Sequence, residues 1–131
     1  MTYPQFLTLE DTLLLHEEQL ARYGGGDGLR DANALEAALA MAQQTFDGAF
    51  VHEDLFAMAA AYAFHIAQNQ PFVDGNKRTG LLAAFVFLDF NDVAISDPDG
   101  ALYEAMIAIA DRRMSKTGLA ELLRSLAATH A

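Results

Sequence analysis

The chain has 131 residues, 53% of them apolar and 20% charged, enough apolar side chain to build one hydrophobic core and to predict a single domain over 1–131. It has no cysteine, which excludes a disulfide scaffold, a thiolate zinc site and a cysteine nucleophile, and fits a reducing, cytoplasmic setting. Eight Lys and Arg against eighteen Asp and Glu give a net charge of −10, a field that repels nucleic acid and anionic lipid.

Thr8, followed three positions later by Asp11, has the spacing of a capping box and predicts a first helix from Leu9 to Tyr23. The glycines Gly24, Gly25 and Gly26 stop it. They belong to a loop without the strand-turn-helix setting of a nucleotide fingerprint, and read as a plain connection. Asp31 or Asn33 caps a short second helix through Met41. In Phe46-Asp47-Gly48-Ala49-Phe50, an Asp-Gly pair between aromatic residues predicts a small hairpin flap within Gln43 to Val51.

A third helix is expected from about His52 to Asn69, ended by Pro71, because the residue before a proline is pushed out of right-handed helical geometry. The fourth starts near Asn76 and carries the unbroken apolar run Leu81 to Leu88, so it is expected to be the central buried helix. Asp97-Pro98-Asp99-Gly100 opens a fifth helix to about Ala110, and Ser115 caps a sixth from Lys116 to Ala128. The fold class is all-α: a compact six-helix bundle around a central apolar helix, with at most a small β-hairpin flap. The longest apolar runs, Leu55 to Phe64 and Leu81 to Leu88, fall far short of the ~20 residues of a spanning helix, and no signal peptide is visible.

Polar residues crowd the start of the fourth helix: Asp74-Gly75-Asn76-Lys77-Arg78-Thr79. Between Arg30 and Arg112, Lys77 and Arg78 are the only Lys or Arg residues. A helix N-terminus exposes unpaired N–H groups and a partial positive charge that already disfavours cations, so two adjacent cations there point to a bound anion, phosphate above all. Arg forks onto phosphate oxygens, Lys acts as a point charge, Asn76 offers an amide donor, and Asp74 suits Mg²⁺ held through phosphates. The other reading is that Asp74 and Asn76 cap the helix while Lys77 and Arg78 pair with nearby acids.

The stretch from Phe72 to Thr79 resembles the core motif of the Fic/Doc superfamily, His-x-Phe-x-Asp-Gly-Asn-Lys-Arg-Thr, in its death-on-curing toxin branch. Glu17-Glu18-Gln19-Leu20 with the following glycines, Gly28-Leu29-Arg30-Asp31, and the stretch Ala59 to Asn69 extend the resemblance, which covers about Phe6 to Leu126. It implies a toxin of a toxin-antitoxin pair that uses ATP and Mg²⁺ to phosphorylate a threonine of elongation factor Tu and arrests translation. On that resemblance Asp74 holds the metal, Gly75, Asn76, Lys77, Arg78 and Thr79 bind the nucleotide, and Phe72 anchors the loop. Asp74 and Lys77 then belong to the catalytic set, the flap aligns the target peptide, and the cognate antitoxin is the other partner.

Family members that transfer AMP carry glycine at the position of Lys77 and arginine at that of Leu81, so AMP transfer is the secondary expectation. The general base of the family motif, a histidine, is replaced by Gln70. A glutamine amide orients a hydroxyl but takes no proton near neutral pH, so this form is expected to be inactive or attenuated, whether Gln70 is natural or engineered. A catalytically dead module that only binds a partner is the remaining alternative. His65 lies five residues from Gln70, about 140° around a helix, and does not replace the base. His16, His52 and His130 show no zinc-protease spacing.

Overall fold

A computed structural model describes residues 3–127 and places six helices in chain order: α1 (Leu9–Tyr23), α2 (Ala32–Ala42), α3 (Leu55–Asn69), α4 (Asn76–Phe90), α5 (Ala101–Ala110) and α6 (Lys116–Leu126). Two short strands, β1 (Thr45–Phe46) and β2 (Ala49–Phe50), lie between α2 and α3. The fold is the all-α bundle the sequence predicts.

Short polar side chains set most helix starts. The Thr8 hydroxyl accepts from the Asp11 N–H at 3.1 Å while the Asp11 carboxylate accepts from the Thr8 N–H at 2.8 Å, completing the capping box. Asp31, not Asn33, caps α2 through the Ala34 N–H. Asp54 caps α3 through the Ala57 N–H at 2.8 Å, so that helix starts at Leu55 and His52 stays outside it, bonded to the Met41 carbonyl. Both Asp97 carboxylate oxygens accept from the start of α5, at Ala101 and Leu102. Ser115 caps α6, which runs through Leu126; the expected end at Ala128, like His130, lies outside the described residues.

The central helix is α3, not α4. Ala59, Ala60, Ala61, Tyr62 and Ala63 are consecutive and fully buried, and α3 packs against α2, α4, α5 and α6. The reason is side-chain size: four alanines in five positions let neighbours approach from several directions. Closest is α4, where a Cβ on Gly80 would sit 2.8 Å from the Ala63 carbonyl oxygen. The apolar run of α4 buries Ala83, Ala84, Phe87 and Leu88 but leaves Leu81, Leu82, Phe85 and Val86 half-buried.

β1 and β2 pair antiparallel, Thr45 opposite Phe50 and Phe46 opposite Ala49. Asp47 and Gly48 both have positive φ, 55° and 82°, the turn that matches the twist of a two-residue hairpin. Phe50 packs edge-on against Tyr3 and Phe6, while Phe46 stands out into solvent. Leu29 forms an isolated antiparallel bridge with Phe72, which ties the loop after α1 to the loop before α4. Among the described residues no helix is long and apolar enough to cross a membrane.

Candidate active site

Gly75 is the N-cap of α4, in the left-handed region at φ 78°, and supplies no side chain to cap the first turn. The first-turn N–H groups therefore have no side-chain cap, and Asn76, Lys77 and Arg78 line a pocket of about 460 Å³ between the glycines after α1, the motif loop and Tyr103 of α5. Lys77 is exposed at its wall. The Arg78 guanidinium lies against two aromatic rings, 3.8 Å from the Tyr23 centroid and 4.5 Å from that of Tyr103. Both contacts are cation–π contacts, and a guanidinium held in this way keeps N–H donors that can fork onto phosphate oxygens.

The motif loop is tied down at three points. The Asn76 side chain closes on one residue, accepting from the Phe72 N–H and donating to the Phe72 carbonyl, each at 3.0 Å. Phe72 is buried and stacks on the His16 ring at 3.8 Å, and His16 Nε2 is 2.8 Å from the Asp74 carbonyl oxygen. The Asp74 carboxylate accepts from the N–H of Gly26 at 3.2 Å and of Gly75 at 2.9 Å. Those two hydrogen bonds hold the Asp74 carboxyl below its ordinary range, so it stays a carboxylate at neutral pH.

Gln70 closes α3 in the left-handed conformation, φ 48° and ψ 56°, and lines the same pocket. It leaves right-handed helical geometry as expected before Pro71. His65 is directed elsewhere: Lys116 Nζ is 3.0 Å from its Nε2, and burial together with the Lys116 charge pushes its pKa down to about 4. It is therefore no substitute base for this pocket.

The structure thus gathers Gln70, Asp74, Gly75, Asn76, Lys77 and Arg78 around one pocket and places Phe72 in the core beneath it. Two sequence expectations change. Thr79 is fully buried, its hydroxyl has no hydrogen-bond partner among the described residues, and it is not among the residues that line the pocket. The Asn76 amide is engaged with Phe72, which makes it a clamp of the loop, while Asn76 still lines the pocket.

Four contributors were not legible as site residues: Tyr23 and Tyr103, which lie against Arg78, His16 beneath the loop, and the glycine loop, whose Gly25, at φ 118°, would bring a Cβ to 3.0 Å from the Asp74 carboxylate. A detectable signal was the close succession of His16, Tyr23 and the glycines on and after α1. The hairpin contributes nothing to the described lining of this pocket.

The helical bundle thus carries its Asp-Gly-Asn-Lys-Arg loop at the N-terminus of α4, against a polar pocket. The sequence model of the Fic/DOC family matches residues 6–88, and the chain belongs to that family. Within the family it is similar to Protein kinase doc of Escherichia phage P1, with 32% identity over 117 residues that cover 89% of this chain and 91% of that protein. It is similar also to Toxin Doc of Mycolicibacterium smegmatis, with 35% identity over 127 residues and 95% of each chain covered.

Proposed function

We propose that the chain is the toxin of a toxin-antitoxin pair, a protein kinase of the Doc type that phosphorylates a threonine of elongation factor Tu, held back in this form by Gln70. The observation that carries this reading is the convergence of the uncapped N-terminus of α4 with Lys77, Arg78 and the Asp74 carboxylate on one pocket. Names given to the two relatives, a protein kinase and a toxin, agree with it.

The donor set fits Mg-ATP. The first-turn N–H groups, Lys77 and the Arg78 guanidinium supply the positive field that phosphate oxygens require. Asp74 offers the single carboxylate that suffices for a Mg²⁺ ion bound chiefly through phosphates and water. When bound, ATP supplies the phosphoryl group and Mg²⁺ offsets its charge.

Phosphoryl transfer is mainly positioning and charge neutralisation, and these residues provide both. Gln70 at the pocket rim orients an acceptor hydroxyl by hydrogen bonding but does not receive its proton. An antitoxin whose disordered segment folds on binding is the expected regulatory partner.

The test is the intact mass of elongation factor Tu after incubation with Mg-ATP and either this chain or its Gln70→His variant. One phosphoryl group added by Gln70→His, and little or none by the parent, is the expected result. A nucleotidyl mass gain would transfer the reading to AMP transfer. Gln70 itself favours a second reading, a binding module without catalysis, and an unmodified target with both proteins would select it.

A further inference from the structure

His16 is buried to 4% exposure under the motif loop, and nothing in the chemistry above uses it. Its ring lies nearly parallel to Phe72, at 7°, and its Nε2 meets the Asp74 carbonyl oxygen at 2.8 Å. Such a contact requires the proton on Nε2, so the ring donates and the carbonyl accepts.

In a trans peptide the C=O and N–H point in opposite directions. With the Asp74 carbonyl drawn down to α1, the Gly75 N–H is turned up to Asp74 Oδ1, 2.9 Å away. Gly75 sits at φ 78°, and a glycine tolerates either orientation of the peptide before it. Within the loop the Asp74 carboxylate favours this orientation through the Gly75 N–H, and His16 adds a hold on the same peptide from α1. Reversal of that peptide would swing a carbonyl oxygen toward the N-terminus of α4 and place a negative dipole end where phosphate oxygens are to bind.

We propose that His16 is a positioning residue: by donating to the Asp74 carbonyl it fixes the Asp74-Gly75 peptide in the one orientation that leaves the α4 N-terminus open to an anion. This inference rests on the nucleotide reading of the pocket for its consequence, but not for its structural content. It also accounts for a polar ring in a position where an apolar residue would pack equally well against Phe72.

The test compares the parent with His16→Phe, which keeps a stacked ring without a donor, and His16→Gln, which returns an N–H at similar reach. Mg-ATP affinity is measured by titration calorimetry, and the orientation of the Asp74-Gly75 peptide is read from crystal structures of the variants. His16→Phe is expected to weaken binding about tenfold and to turn or split the peptide, the size expected for losing one buried hydrogen bond. His16→Gln is expected to restore both, a rescue that simple loss of packing would not give.

An unchanged peptide in His16→Phe, or an affinity equal to the parent's, overturns the proposal. If the parent binds no Mg-ATP, the nucleotide reading fails, while the peptide orientation still decides the role of His16. If His16→Phe does not fold, His16→Met fills the volume without a donor and takes its place.

Discussion

Arg30 grips the backbone at Gln70: its Nε donates to the Gln70 carbonyl at 2.8 Å, and its Nη2 to the Asn69 carbonyl at 3.0 Å. The N–H groups of Arg30 and Asp31 add bonds to the Pro71 carbonyl, at 2.7 and 2.9 Å. A cation at the C-terminus of α3 also suits the negative end of the helix dipole. These contacts hold a non-glycine residue in the left-handed region, a conformation that is costly unless its surroundings impose it.

Arg30→Met, which keeps the aliphatic stem and removes the donors, is expected to lower stability by about 1 kcal/mol. Urea denaturation measures the change. In the Gln70→His background it is expected to reduce turnover as well, because the residue at the general-base position is then less well held; turnover unchanged from that background would contradict this.

Gly80→Ala is expected to destabilise even though alanine favours a helix by about 1 kcal/mol. Its Cβ would fall 2.8 Å from the Ala63 carbonyl oxygen, a backbone atom that cannot move aside without shifting α3. Overpacking of this kind costs about 1–3 kcal/mol, so the balance is a net loss, read as a lower denaturation midpoint.

Arg78→Lys keeps the charge and loses the plane. Arg78 lies against the rings of Tyr23 and Tyr103, and an ammonium in its place neither stacks as a guanidinium does nor forks onto oxygen pairs. Mg-ATP affinity is expected to fall about tenfold with the thermal midpoint nearly unchanged, the loss of one charge-assisted contact.

Acid should destabilise the fold partly through His65. Its folded pKa, about 4, lies below the ordinary value of 6.5, so the unfolded chain binds more protons between those limits. Stability due to the neutral ring is complete above about pH 6.5 and declines as pH falls toward 4. His65→Gln, which cannot titrate, is expected to flatten the stability curve over that window, while an identical slope in parent and variant would place the effect in other groups.

How much of this was legible in the sequence depended on the range of the interaction. Thr8, Asp31, Asp54, Asp97 and Ser115 cap their helices through bonds to residues three to five positions away, and the Asp47-Gly48 turn needs only its own backbone angles. Patterns of that reach are written in consecutive residues. The identity of the central helix is not, because an apolar run in α4 and an alanine-rich run in α3 look equally buried until the packing of neighbours distinguishes them.

For the site the division is the same. Asp74, Gly75, Lys77 and Arg78 stand out because two cations at a helix N-terminus oppose the dipole and call for an anion. His16 meets Asp74 across 58 positions, Arg30 meets Gln70 across 40, and Tyr103 reaches Arg78 from α5. The sequence by itself determined the helices, their caps and the chemical character of the motif loop, since each depends on neighbouring residues. Only the tertiary structure decided that Thr79 is buried, that Asn76 clamps Phe72 and that His16 meets the Asp74 carbonyl, because a side chain's role there depends on which distant group the folded chain brings against it.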